Sequence, residues 1–177
     1  MTVNGKDFEV LKLLGKGKGG YSYLVTDGEQ SYVLKQIHHE PCDYYQFGDK
    51  LASELRDYER LKQIGIPMPQ MLDVDYEQER ILKEYIEGPM ILDLVLRDEM
   101  QSAYFDQIHQ ICDTLYAQGL NIDYFPTNFI VQEGRLFYID YECNAYMEQW
   151  DFERWGHIYW ERSPELMEYA RSHGFCN

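Results

Sequence analysis

Apolar and polar positions alternate through the first half of the chain and recur at helical spacing through much of the second. Residues 8–14, Phe-Glu-Val-Leu-Lys-Leu-Leu, read as a strand running into a glycine-rich stretch. Tyr21 to Val25 is aromatic and β-branched, Asp27-Gly28 is a hairpin signal, and Ser31 to Gln36 returns as a third strand. Residues 38–49 show no period. From Lys50 to Ile64 the apolar residues Leu51, Leu55, Tyr58 and Leu61 lie on one helical face, and Gly65 stops the helix. Met71 to Val74 and Arg80 to Tyr85 read as two more strands. These elements predict a five-stranded antiparallel sheet with one helix inserted after the third strand. Ile86-Glu87-Gly88-Pro89 reads as a linker, which puts a boundary between residues 1–88 and 89–177.

Beyond the linker, residues 90–98 predict a short helix, and Tyr104 to Tyr116 an amphipathic one that ends near Gly119. Phe129 to Val131 and Leu136 to Ile139 flank Glu133-Gly134, a second hairpin signal. Ser163-Pro164 reads as a turn or a helix start. Trp150, Trp155 and Trp160 recur every five residues, a step of about 140° on an α-helix, so they form no single stripe. Their size assigns them to packing the base of the second lobe, with a dedicated binding surface as the alternative.

Composition narrows the function. The formal net charge of −15 excludes an extended phosphate backbone as partner, since nucleic-acid binding needs a basic stripe. No apolar run reaches the roughly 20 residues of a membrane helix, and the first residues carry no signal-peptide hydrophobic region, so a cytoplasmic protein is expected. Cys42, Cys112, Cys143 and Cys176 form no close pair and read as reduced thiols. His38-His39 has no third ligand at metal spacing and reads as a polar loop. An acidic chain binds a nucleotide only where local lysines and backbone N–H groups override its field, and Lys12, Lys16 and Lys18 lie in or beside the glycine stretch.

Four signals carry the chemistry. Gly15, Gly17 and Gly20 form a G-x-G-x-x-G loop between two strands, which lets backbone N–H groups approach phosphate oxygens. A Walker A loop and a dinucleotide-binding fingerprint both lead into a helix, so neither fits. Lys35 ends an apolar strand, and a buried lysine demands a partner. Glu54, nineteen residues on, is the first choice and Glu59 the second. Asp123 precedes Asn128 by five residues, and Asp140 follows twelve later, closing the apolar run from Leu136. As plain turn residues around Pro126, Asp123 and Asn128 need no function. Asp140 resists that reading, because a carboxylate closing an apolar strand is costly without a cation or donor.

Taken in order, these motifs resemble the eukaryotic-like protein kinase superfamily, particularly its small microbial, Rio-like members, over roughly residues 8 to 142. The resemblance implies an α+β, bilobal fold with a truncated, mostly helical second lobe, and an ATP- and magnesium-dependent phosphotransferase. It assigns Asp123 as the base and Lys35 with Glu54 as the phosphate anchor. Asn128 and Asp140 become the Mg2+ ligands, and the segment from Glu84 to Ile86 the adenine contact. The acceptor is a hydroxyl on a protein, as in Ser/Thr kinases, or on a small molecule, and a protein partner fits the same reading. Departures are specific. Asn121-Ile122 stands where the family has His-Arg before the base, Phe125 replaces a lysine, Asp-Phe-Gly reads Asp140-Tyr141-Glu142, and Ser22 occupies the position that roofs the adenine. With 35 residues after Glu142, a regulated activation loop is not expected. A nucleotide-binding pseudokinase that serves as an interaction module is the alternative.

Overall fold

A computed structural model describes residues 1–17, 19–40 and 49–175; Lys18, Cys42, Cys176 and most of the stretch from 38 to 49 lie outside them. The alternating first half forms β3 (Glu9–Lys16), β4 (Gly20–Thr26), β5 (Ser31–Ile37), β6 (Met71–Asp75) and β7 (Arg80–Glu84). They pair in the order β3-β4-β5-β7-β6, all antiparallel, as the pattern predicts. Asp27 turns the β4–β5 hairpin by accepting the Glu29 and Gln30 N–H groups on Oδ1, at 3.1 and 3.0 Å. Residues 1–7 add a hairpin that the sequence reading leaves unassigned, β1 (Thr2–Val3) with β2 (Lys6–Asp7). Arg80 fixes it by donating to the Thr2 carbonyl at 2.7 Å, and Val3 joins Phe8, Val25, Leu34 and Leu82 in a small core.

Helix α1 (Lys50–Gln63) ends at Gly65, whose φ of +79° suits a residue without Cβ. The Gly65 N–H reaches the Lys62 carbonyl and the Ile66 N–H the Leu61 carbonyl, both at 3.1 Å, the paired bonds of a Schellman end. Early in α1, Leu51 and Leu55 pack with Ile37 and Ile81 of the sheet. The chain divides into two compact units: Met1–Arg56 with Pro69–Ile86, and Asp57–Met68 with Glu87–Asn177.

The second unit contains α2 (Ile91–Leu96), α3 (Ser102–Tyr116), β8 (Leu120–Asn121), β9 (Phe129–Gln132), β10 (Arg135–Tyr138), β11 (Asn144–Ala145) and α4 (Pro164–Ser172). Glu133 and Gly134 both have positive φ, at 51° and 78°, and close the tight β9–β10 hairpin. Ser163 caps α4, its Oγ accepting the Leu166 N–H at 3.1 Å, so Ser163-Pro164 is a helix start. Leu61, Ile91, Leu92, Ile108, Leu115, Phe129, Leu136 and Trp160 belong to one core. The three tryptophans do not all pack the base: Trp160 is buried, whereas Trp150 is 49% exposed. The cause is local. Trp150 ends a 3-10 turn, Trp155 sits in a π-helical turn (Phe152–Gly156), and Trp160 follows a second 3-10 turn, so helical phase shifts between them. No helix of the described residues is long and apolar enough to cross a membrane.

Burial in this core pushes the Cys112 thiol up to about 12 and the Tyr116 and Tyr124 phenols above their usual range. These groups keep their protons in the folded state after the unfolded chain has released them. Their contribution is therefore complete below about pH 8.5, the ordinary thiol value, and is lost as pH rises towards the folded pKa. Thermal unfolding followed between pH 8 and 11 should show a melting temperature that falls with pH. Cys112→Ala should flatten part of that slope, even while lowering stability at pH 7.

Candidate active site

In the first unit, the geometry centres on Lys35. The residue sits on the central strand β5, paired with Ser22 of β4 and Ile81 of β7, so its backbone is fixed on both sides. Its ammonium meets Glu54 Oε2 at 2.7 Å, with the two side chains 12% and 10% exposed. Glu59 instead faces Lys62 at 3.9 Å on the exposed side of α1. Glu54 Oε1 is buried and has no hydrogen-bond partner among the described residues. The glycine loop passes beside this pair: a Cβ built on Gly19 would lie 3.7 Å from Lys35 Nζ. Gly20 is fixed by contact, since a Cβ there would lie 2.4 Å from the Gln36 carbonyl oxygen. Gly15 pairs with Ser22 in the β3–β4 ladder, and the Gly17 N–H donates to the Gly20 carbonyl at 2.9 Å.

A strap that the sequence does not announce holds the loop. Lys16 meets Glu40 Oε2 at 2.7 Å, the Tyr21 hydroxyl donates to Glu40 Oε1 at 2.5 Å, and His38 Nε2 lies 3.1 Å from the Gly17 carbonyl. The Lys16 hydrogen bond, with that of Tyr21, pulls the Glu40 carboxyl down to about 2. At the far end of β7, the Glu84 N–H is already committed to the Gln70 carbonyl at 2.9 Å. Ile86 is buried, and its backbone makes no hydrogen bond among the described residues.

The second unit gathers Asp123, Asn128 and Asp140. Asp123 Oδ1 accepts the Phe125 N–H at 3.0 Å, which folds the chain back into the 3-10 turn Pro126–Asn128. Asn128 Nδ2 donates to the Asp123 carbonyl at 3.2 Å, and the Asn128 carbonyl accepts the Ile139 N–H at 2.9 Å. Asp140 follows directly, its Oδ1 accepting the Tyr141 N–H at 2.9 Å. Tyr138 is buried and donates to the Glu142 carbonyl at 2.9 Å. Its phenol is pushed well up, first by burial and then by the negative charges of Asp140 and Asp123. Among the described residues no three His, Cys, Asp or Glu side chains form a metal cage. One carboxylate and one amide oxygen suit a hard cation that keeps water and draws its remaining ligands from phosphate, which is how Mg2+ binds.

The loop is braced from beneath by a residue outside the motif. Trp160 donates its indole N–H to the Tyr124 carbonyl at 2.8 Å, in a buried position. Gly156 allows the approach, because a Cβ there would fall 2.6 Å from Tyr124 Cβ. Phe125 packs against Tyr169, Tyr159 and Trp155, with centroids 4.6, 5.1 and 6.5 Å away. Asn121 is buried and donates to the Met147 carbonyl at 2.9 Å, and Ile122 is core. The Tyr124 carbonyl is therefore met by Trp160, while the Asn121 amide is directed to Met147. Only the size of the tryptophan hinted at this, because the π-turn that aims it leaves no periodic trace.

No protein-family model matches the chain. Over 149 residues it is 24% identical to the dual specificity protein kinase Ttk of Danio rerio, covering 80% of this chain and 15% of that protein. It is 33% identical over 146 residues to a probable bifunctional tRNA threonylcarbamoyladenosine biosynthesis protein of Methanocaldococcus jannaschii, covering 78% and 26%. With the KEOPS complex subunit Bud32 of Pyrococcus abyssi it shares 26% identity over 145 residues, covering 74% and 66%. The chain therefore spans between 15% and 66% of the length of these curated relatives. These similarities support placing the chain with the protein-kinase-like superfamily.

Trp160→Phe removes the indole donor and leaves the Tyr124 carbonyl buried without a partner, a loss of about 1–3 kcal/mol. Hydrogen exchange should show amides of residues 123–128 opening at least about fivefold faster in this variant, in proportion to that loss. The β9–β10 hairpin should change less. Uniform acceleration across the unit would mean that Trp160 is packing alone.

Proposed function

We propose that the protein is an ATP- and magnesium-dependent phosphotransferase that moves the γ-phosphate to a Ser or Thr hydroxyl of a protein. The Lys35–Glu54 pair carries this reading. A buried ion pair is a weak source of stability: apolar replacements of similar volume are often neutral or better, while breaking the pair costs about 3–5 kcal/mol. Its presence on a central strand beside a glycine loop makes sense as a phosphate anchor, with Glu54 holding the ammonium in direction.

In the second unit, Asp123 would accept the proton of the attacking hydroxyl at its carboxylate, or orient that hydroxyl. Its fixed turn to Phe125 and its tie to Asn128 keep the carboxylate in place, and Trp160 supports the turn from below. Asn128 and Asp140 would hold the metal, and the uncommitted backbone of Ile86 would meet the adenine. Bound nucleotide and Mg2+ supply the transferable phosphoryl group and neutralise its charge. The buried, free thiol of Cys112 suits a reducing compartment such as the cytoplasm. A protein partner fits as well, since one relative is by name a subunit of a complex.

A second reading, a nucleotide-binding module without turnover, is favoured by one observation. Glu40 already neutralises Lys16 on the glycine loop, where a phosphate would need the cation. Transfer from γ-labelled ATP to a lysate protein pool and to a metabolite pool separates the readings. We expect labelled protein, dependent on Mg2+ and reduced by at least about a hundredfold in Asp123→Ala, the scale of general-base loss. Label confined to metabolites would make it a small-molecule kinase. Nucleotide binding with no transfer to either pool would establish the module.

A further inference from the structure

The exposed apolar side chains of unit 2 fall late in its sequence. Among the described residues, its large hydrophobic side chains that stand exposed are Tyr146, Met147, Trp150, Ile158 and Phe175, all in the last thirty-odd residues. Single exposed hydrophobics need no explanation, but Trp150 and Phe175 adjoin a continuous run of rings that leads to the base. Trp150 touches Trp155 at 5.9 Å between centroids, and Trp155 touches Tyr159 at 5.4 Å. Tyr159 meets Phe125 at 5.1 Å, and Phe125 meets Tyr169 at 4.6 Å. Phe125, Trp155, Tyr159 and Tyr169 are each only partly buried, so the run is open along its length. It ends at Asp123: the Phe125 N–H is bonded to that carboxylate, and the Asp123 charge adds to burial in raising the Tyr169 phenol.

The surroundings are acidic. Residues 87–177 hold sixteen Asp and Glu against five Arg and no Lys, a formal −11 of the chain's −15. Arg154 is spent on Asp151 and Glu148, and Glu165 and Glu168 stand exposed on α4, four residues and one residue before Tyr169. Rings bordered by carboxylates attract guanidinium and ammonium groups, through cation–π contact over the ring faces and ion pairs at the rim. Nucleobases also stack on such rings, but their phosphates would meet the −11 field without a cationic stripe.

We propose that this aromatic run is the acceptor-docking surface, and that its occupant is a basic polypeptide segment which lays Arg or Lys side chains across the rings and presents its hydroxyl to Asp123. The proposal rests on the phosphotransferase reading for the last step only; the docking itself does not need turnover.

Calorimetric titration of the full chain with three serine-containing peptides of equal length, Arg-rich, neutral and Glu-rich, tests it. The Arg-rich peptide should bind at least about tenfold tighter than the neutral one, and the gap should narrow as salt rises. Trp150→Ala should weaken that binding by about fivefold, a contact of partly exposed cation–π size. Glu165→Lys with Glu168→Lys, on the solvent face of α4, provides a second variant that leaves the core intact and should abolish the preference. Equal binding of all three peptides, tighter binding of a single-stranded oligonucleotide, or wild-type affinity in both variants would overturn the proposal. Asp123→Asn, which keeps an oxygen to accept the Phe125 N–H, separates it from the activity and should retain the preference for the Arg-rich peptide. If wild type binds that peptide but phosphorylates nothing, docking stands and the phosphotransferase reading falls. If it phosphorylates the neutral peptide as efficiently as the basic one, the reverse holds.

Discussion

The ion pair between Lys35 and Glu54 is the constraint around which the first unit is arranged. Two charges nine-tenths removed from water cost several kcal/mol each to desolvate, and their mutual attraction returns that only if both are held in place. The fold holds them from two directions. Strand β5 is paired on both edges, which fixes Lys35, and the apolar face of α1 seats on Ile37 and Ile81, which fixes Glu54. The glycine loop then has to run close to the ammonium, and Gly20 permits it because any side chain there would strike the Gln36 carbonyl. Even so, the pair is incomplete: Glu54 Oε1 is buried with no partner among the described residues, a cost that points to a use beyond stability.

The second unit solves a related problem with neutral groups. Its acidic loop brings Asp123 and Asp140 around the buried Tyr138 ring, where their charges add to burial in raising the phenol. Hydrogen bonds tie the loop at each step: Asp123 to Phe125, Asn128 to Asp123, and Ile139 to Asn128. Beneath them a single indole, Trp160, satisfies a carbonyl that would otherwise be buried alone.

Much of the fold was legible because each element rested on a local rule. The five strands followed from alternation and the Asp27-Gly28 and Glu133-Gly134 turns, and α1 from its apolar face and Gly65. Hairpin β1–β2 was not, since two-residue strands carry no alternation and only Asn4-Gly5 hints at a turn. Around the site, the lysine's need for a partner pointed to the residue that the structure sets beside it. Glu40 escaped notice because its contacts with Lys16 and Tyr21 span about twenty residues without periodicity. The tryptophans were misjudged for a sharper reason. A π-turn between two 3-10 turns shifts helical phase, and a shift of one residue decides whether a ring faces core or water.

The central proposal is that Lys35 is needed to bind nucleotide and Asp140 to bind the metal that accompanies it. Electron paramagnetic resonance of Mn2+, in place of Mg2+, with a non-hydrolysable ATP analogue tests it most directly. The account predicts that the protein immobilises Mn2+ only when nucleotide is present, that Asp140→Ala loses the metal while still binding nucleotide, and that Lys35→Met loses both. Mn2+ bound equally well without nucleotide, or retained by Asp140→Ala at wild-type affinity, would contradict it.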